Sequence, residues 1–219
     1  MATSMSKAVL FNLALARIGN TKGVSNAETD NTVEANMCRL FYDNALGDMY
    51  ESFQWPFART RVDLGLVQTD PNPNWKYSYR VPADSGRIIA VGDADLIVAW
   101  DYNWAGSWNS YSDSSIRIPI PIYEIVSDNT GKLIHTDIVD AVAYYERRVT
   151  EPSLWPYAFA NALAWKLAAD IALPLSRDPK LANNAERKYD LEISKAYAAQ
   201  LNESPTETPE GSEIVRAYS

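Results

Sequence analysis

Cys38-Arg39-Leu40-Phe41-Tyr42-Asp43-Asn44-Ala45-Leu46-Gly47-Asp48-Met49-Tyr50-Glu51-Ser52-Phe53-Gln54-Trp55-Pro56-Phe57-Ala58-Arg59-Thr60-Arg61-Val62-Asp63 begins as a helix and ends as a strand. Val33, Met37, Phe41, Ala45, Met49 and Phe53 recur at every fourth position, which predicts one long helix. Such a row drifts around a 3.6-residue helix by about 40° per step, so it faces more than one neighbour. Pro56 is the expected stop, because it has no N–H and drives Trp55 toward extended backbone. Beyond it Val62, Leu64 and Leu66 alternate with Arg61, Asp63 and Gly65, the period of a strand. Trp55 and Phe57 at this corner are expected to pin the first residues of the strand onto the helix.

Upstream, a first helix is expected from about Lys7 to Ile18, capped by Ser4 or Ser6 and ended by Gly19-Asn20. The long helix is expected to start between Asn26 and Asn31. Ser25 with Glu28 fits a capping box, and Asp30 is the alternative cap.

Downstream, from Ala58 to Arg148, the periodicity is that of strands. Tyr77, Tyr79 and Val81 alternate with Ser78 and Arg80. Arg87 to Val91, Leu96 to Trp100, Ile116 to Ile122, Tyr123 to Val126, Lys132 to His135 and Ala141 to Arg148 complete the set. Pro119 and Pro121 remove two ladder donors, so the strand that holds them belongs at an edge or breaks there. Asp128-Asn129-Thr130-Gly131 reads as a hairpin turn, and Pro71 to Asn74 and Pro82 to Gly86 as further turns. Many short strands at close spacing point to an antiparallel sheet or small sandwich set between helices.

Helical periodicity returns with an almost wholly apolar helix from about Trp155 to Leu173, with Pro156 in its first turn. Lys166 and Asp170 interrupt it, so a buried, alanine-packed helix is expected and not a membrane span. The last helix follows Asp178-Pro179. Leu181, Ala185, Tyr189, Ile193, Ala196 and Tyr197 make its stripe. Trp55, Phe57, Trp165 and Tyr189 are expected in one helical core.

The chain has 219 residues, 47% hydrophobic and 22% charged, enough apolar material for a core. Its net charge of −8 argues against a nucleic-acid binder, because an acidic surface gains nothing from counterion release. The first residues lack a signal-peptide layout. The single cysteine, Cys38, cannot form an internal disulfide and reads as a buried thiol. His135, the one histidine, reads as a strand residue and not a general base. Asp93, Asp95 and Asp101 do not match calcium-loop spacing and read as a solvated turn. Glu146-Arg147-Arg148 reads as a strand end with ion pairs. There is no phosphate loop, H-E-x-x-H or C-x-x-C. No catalytic, cofactor or metal residues are assigned, and no enzyme activity is expected.

Seven tryptophans and thirteen tyrosines suit extensive interfaces or a sandwiched core. Tyr102, Trp104, Trp108 and Tyr111 stand among Ser, Asn and Gly, the composition of adaptable contact loops. They are expected to contact neighbouring subunits or a tail component. A hairpin folded back on the sheet and a sugar-stacking surface are the alternatives. From Asn202 the composition turns to Glu, Ser, Pro and Thr, too polar to order itself. It ends in Ile214-Val215-Arg216-Ala217-Tyr218, where Ile214, Val215 and Tyr218 offer apolar anchors and Arg216 a partner for a carboxylate.

Three segments carry a resemblance. Trp55-Pro56-Phe57-Ala58 followed by Arg59 and Arg61 is the first. Trp75-Lys76-Tyr77-Ser78-Tyr79-Arg80-Val81-Pro82-Ala83-Asp84 with Arg87 is the second. Tyr145-Glu146-Arg147-Arg148-Val149-Thr150-Glu151-Pro152, then Leu163-Ala164-Trp165-Lys166-Leu167-Ala168-Ala169-Asp170-Ile171-Ala172, is the third. With the shorter Ala14-Leu15-Ala16-Arg17-Ile18-Gly19, they resemble, in order, the head-to-tail adaptors of tailed phages, especially the tail tubular protein A type of short-tailed phages. The resemblance spans nearly the whole chain but does not fix the tryptophan-rich loop.

The resemblance implies an α+β fold: a helical bundle of two N-terminal and two C-terminal long helices, an inserted antiparallel β domain and an extended C-terminal arm. The divisions are 1–57, 58–150, 151–202 and 203–219. It implies a homo-oligomeric ring, usually of twelve subunits, between the portal protein and the tail nozzle protein. Viral DNA passes through the lumen without specific binding, and the ring sits in the virion neck after assembly in the host cytoplasm. From composition, and set in that frame, Tyr102, Trp104, Trp108 and Tyr111 are expected as subunit or tail contacts, and Ile214, Val215, Arg216 and Tyr218 as portal or neighbour contacts. No cofactor and no membrane are implied. The alternatives are a neck connector of a long-tailed phage and, from another class, a carbohydrate-binding or tail-associated hydrolase module.

Overall fold

The computed structural model describes residues 5–93 and 123–203. Among the described residues the fold is mixed α+β, with four α-helices and two antiparallel sheets. The chain divides into two compact units, one from Met1–Ala58 with Arg148–Glu203, the other from Arg59–Arg147.

The first unit holds the helices α1 (Lys7–Arg17), α2 (Val33–Ser52), α3 (Tyr157–Ser176) and α4 (Pro179–Glu203). Ser6 caps α1 by accepting from Val9 N, and Gly19 follows its end at φ +74°, where a side chain would be strained. α2 starts later than its sequence suggests. Thr32, not Ser25 or Asp30, is the cap, accepting from Ala35 N at 3.3 Å. The upstream polar residues hold a turn instead: Asn26 Oδ1 accepts from Glu28 N and Thr29 N, and Asp30 from Ser25 N and Thr32 N. Arg39 fastens this turn to α2 by donating to the Ala27 and Asp30 carbonyls.

Helix α2 buries Ala35, Cys38, Tyr42, Ala45, Leu46, Met49 and Tyr50, a three-and-four stripe. The fourth-position row crosses that stripe obliquely. Val33 at its start is 63% exposed, Met37 and Phe41 are half-buried, and Ala45 and Met49 are buried. The helix ends at Ser52, short of Pro56, because Phe53 is already extended (φ −145°, ψ 163°). Pro56–Ala58 then forms a single 3-10 turn.

Helix α3 touches each of the other three helices. Its Phe159, Leu163, Leu167 and Ile171 are fully buried, each side chain contributing about 1.5–3 kcal/mol by leaving water. By length and composition it could cross a membrane, and half of that apolar window is buried against protein. It runs past its expected end: Pro174 lies inside the last turn, where its missing N–H leaves only the Asp170 carbonyl without its helical donor. Arg177, left-handed at φ 56°, ends it by donating to the Leu173 carbonyl. Trp165 is half-buried at the rim of the core and not inside it. The Arg17 guanidinium stacks 4.3 Å from its ring and donates to the Asn161 carbonyl at 3.0 Å. Phe57 and Tyr189 likewise pack on the core from its edge, while Trp55 is fully buried.

The described residues of the second unit hold seven strands: β1 (Arg59–Asp63), β2 (Leu66–Asn72), β3 (Trp75–Arg80), β4 (Ser85–Gly92), β5 (Tyr123–Asp128), β6 (Gly131–Thr136) and β7 (Val142–Arg147). They form a three-stranded sheet ordered β1-β7-β4 and a four-stranded sheet ordered β2-β3-β6-β5. Val62, Leu64 and Leu66 do not belong to one strand. The chain changes sheets at Leu64-Gly65, so Leu64 is 8% exposed while Val62 and Leu66, on either side of the change, are 37% and 55% exposed. One core cluster draws on both sheets: Tyr79 and Ile134 from one, Val91, Ala143 and Tyr145 from the other. Pro71 lies on the edge strand β2, where a missing donor is tolerated. The β5–β6 hairpin turns through Asn129-Thr130, with Asp128 opposite Gly131. The expected strands at Leu96 to Trp100 and Ile116 to Ile122 lie outside the described residues.

Candidate functional site

The expected contact residues Tyr102, Trp104, Trp108 and Tyr111, and Ile214, Val215, Arg216 and Tyr218, lie outside the described residues. Asp95 and Asp101 do too. The residues that carry the three sequence resemblances are described, and several of them meet.

In the three-stranded sheet, Glu146 on the central strand β7 lies opposite Arg59 of β1 and opposite Arg87 of β4. Directly opposed residues in antiparallel strands project from the same face, so the carboxylate stands between two arginines. Glu146 is only 2% exposed, a burial that a carboxylate sustains when it is paired. Two residues along, Arg61 lies over the Tyr144 ring at 5.7 Å. On the other face, Tyr145 donates to Asp84 Oδ1 at 2.9 Å, tying β7 to the β3–β4 turn. Burial and the facing carboxylate push the Tyr145 phenol up to about 12. Arg59, Asp84, Arg87, Tyr145 and Glu146 come from all three matched segments and share one sheet and its adjoining turn.

In the helical unit, the same third segment supplies a buried backbone junction. The Val149 carbonyl accepts from Tyr50 OH at 3.0 Å and from Trp155 Nε1 at 2.8 Å, and Val149 N donates to the Tyr50 oxygen. Trp55 forms an aromatic cluster with Phe53, Phe57, Phe159 and Tyr197.

His135 is a buried strand residue. Register places Gln68, Ser78, His135 and Glu124 in one row across the four-stranded sheet. A serine, a histidine and a carboxylate in line suggest nucleophilic chemistry, but the geometry does not supply it. The Ser78 hydroxyl is buried and bonds to neither neighbour, Asn72 Nδ2 lies 3.3 Å from His135 Nδ1, and Glu124 accepts from Trp75 Nε1. Cys38 is fully buried, and burial pushes its thiol up to about 12, away from reactivity. Among the described residues no three acidic, histidine or cysteine side chains converge as for a metal ion.

A cleft of about 430 Å³ opens in the helical unit, lined by Ser6, Lys7 and Glu28, by Tyr42, Asp43 and Leu46 of α2, and by Thr150, Glu151 and Pro152. Lys7 donates to Glu28 at 2.8 Å and sits 4.5 Å over the Tyr42 ring. Its acids are spread over more than a hundred positions, so no local pattern in the sequence signals it.

Compared with known protein families and with curated protein sequences, the chain matches none.

Proposed function

We propose that this chain is a structural virion protein, a head-to-tail adaptor of a tailed phage that forms a ring between portal and tail nozzle. In this reading the four long helices form a bundle, two from each end of the chain, and the β unit is an insertion whose loops meet neighbouring subunits or the nozzle. The observation that carries it is the chain's own division: Met1–Ala58 and Arg148–Glu203 share one unit, and the strands between them form another. That division supports the architecture that the resemblance implies. The meeting of Arg59, Asp84, Arg87, Tyr145 and Glu146 supports it further, since a sequence pattern retained for architecture should concentrate at joints between strands. The net charge of −8 suits a lumen through which DNA travels without being held.

The test is imaging. Purified protein, alone and mixed with portal-bearing heads lacking a tail, should give rings in negative stain or added density below the portal. A monomer that neither closes into rings nor joins such heads would remove the proposal.

A further inference from the structure

The four most exposed large hydrophobic side chains among the described residues are Tyr157 at 78%, Leu40 at 64%, Val33 at 63% and Leu154 at 60%. All four belong to the helical unit, and they fall into two pairs. Leu154 and Tyr157 stand three positions apart where the chain enters α3. Val33 and Leu40 stand seven apart on α2, two turns along one face, on the side away from the buried Cys38, Tyr42 and Met49. Single exposed apolar residues need no explanation, but paired ones set beside a charge mark a contact surface.

The two pairs lie beside charges of opposite sign. Arg17 is close enough to Tyr157 for the phenol to act on its charge. Its guanidinium donates to the Asn161 carbonyl at 3.0 Å and to Asn161 Oδ1, and stacks 4.3 Å from the Trp165 ring. Glu192 also acts on it, but the two Glu192 oxygens accept from Asn161 Nδ2 and Lys195 Nζ. Arg17 is thus half-buried and makes no ion pair among the described residues. Burial lowers it to about 10, so the cation persists at neutral pH. On α2, Asp43 lies one turn on from Leu40. It is exposed and makes no hydrogen bond or ion pair among the described residues.

One apolar pair therefore stands with an unmatched cation and the other with an unmatched anion. A second copy of the chain brings to each patch both an apolar pair and the opposite charge. We propose that copies join head to tail, with Leu154, Tyr157 and Arg17 of one against Val33, Leu40 and Asp43 of the next. Tyrosine and arginine are the residue types that carry interface energy. Because the two patches differ, the contact is heterologous and repeats into a closed ring or a filament, not a two-fold dimer. It deepens the ring assembly proposed for this chain, and closure of the series rests on that reading.

Sedimentation equilibrium of the full chain over about a thousandfold range of concentration tests the contact. Wild type should form particles larger than dimers. Tyr157→Ser and Leu40→Ser replace side chains that are mostly in solvent, so both variants should keep the wild-type melting temperature. Each should weaken association about tenfold or more. Asp43→Asn should weaken it about threefold and flatten its dependence on salt. A mixture of variants reads the head-to-tail geometry directly. The Tyr157→Ser chain keeps the Val33 and Leu40 patch, and the Leu40→Ser chain keeps the Leu154 and Tyr157 patch. Together they should pair one to one and grow no further. Wild-type association of either single variant, or a mixture that does not pair, would overturn the contact. A wild-type chain that stays monomeric throughout would overturn it too. The ring reading fails separately, when wild type neither closes into rings nor joins portal-bearing heads.

Discussion

The Trp55 indole donates a 2.7 Å hydrogen bond to the Met49 carbonyl, satisfying one of the last four acceptors of α2 from a side chain six residues on. The ring is fully buried while doing so, against Phe159 edge-on at 4.9 Å. Trp55→Phe keeps much of the packing but leaves that carbonyl unpaired, and should cost about 1–3 kcal/mol. Trp55→Ala should cost about 3–5 kcal/mol. Trp165→Ala should cost less, since that ring is half-buried under Arg17. Urea unfolding ranks the three, and a Trp55→Phe protein with the wild-type midpoint would mean that water replaces the indole.

Arg80 grips Asp128 with two parallel bonds, Nη1 to Oδ1 at 3.0 Å and Nη2 to Oδ2 at 2.9 Å, across the four-stranded sheet. The guanidinium first, and then Thr130, holds the Asp128 carboxyl well below the usual carboxylate range. A depressed folded value stabilises the protein above the unfolded value of about 3.9 and loses that contribution as the pH falls through the folded one. Wild type should therefore exceed Asp128→Asn in stability at pH 7, by a margin that shrinks progressively below about pH 4. Unfolding midpoints of both proteins at several pH values measure this. A constant margin would assign the effect to the turn geometry around Thr130 and not to charge.

Cys38 offers a check on the helical core. It is fully buried, with its thiol pushed up to about 12, so a thiol reagent at neutral pH should react only as fast as the protein opens. Labelling should be negligible over hours in buffer and complete in denaturant. Rapid labelling of the folded protein would show that α2 detaches readily from its neighbours.

How much was legible in the sequence differs by element. Ser6 and Asp178-Pro179 announced their helices because capping is local chemistry: Ser6 accepts from Val9 N and Asp178 from Lys180 N. Thr32 was hidden by a run of equally good caps before it, and only the turn fastened by Arg39 decides which one is used. Pro56 looked like the helix stop, but Phe53 leaves the helix earlier to stack on Tyr197 at 4.3 Å, a partner from the far end of the chain. Leu64 and Leu66 read as one strand because alternation cannot report a change of sheet. The row joining Arg59, Glu146 and Arg87 depends on register between strands, and the acidic cleft on tertiary packing. Neither leaves a trace in local spacing.

The aromatic loop carries a prediction of its own. If the chain is the proposed adaptor and this loop its interface, replacing Trp104 and Trp108 by Ser should leave the melting temperature within a few degrees of wild type while weakening ring or tail assembly several-fold, since interface aromatics carry much of the binding energy. The readouts are thermal unfolding and ring yield by negative stain. Wild-type assembly of the double variant would show that this loop is not an interface.

The C-terminal residues 204–219 supply the last prediction. Ser204 to Glu213 is rich in Glu, Pro, Thr and Ser, a composition that keeps a chain extended and soluble. Ile214, Val215 and Tyr218 follow in the sequence, with Arg216 among them. On the proposed reading one such segment alone would bind weakly, since ordering a segment of this composition on contact costs conformational entropy. In the proposed adaptor a ring would present many such segments to one portal, and once the first engages the rest would bind at high effective concentration. Deleting 204–219 should therefore leave the melting temperature of the helical unit unchanged while reducing attachment to portal-bearing heads by about a hundredfold or more, the scale of lost avidity. Restoring only Ile214 to Tyr218 on a Gly/Ser linker of equal length should recover most of it. Truncated protein that joins heads normally, and heads that then retain their DNA, would show that the arm has no part in attachment.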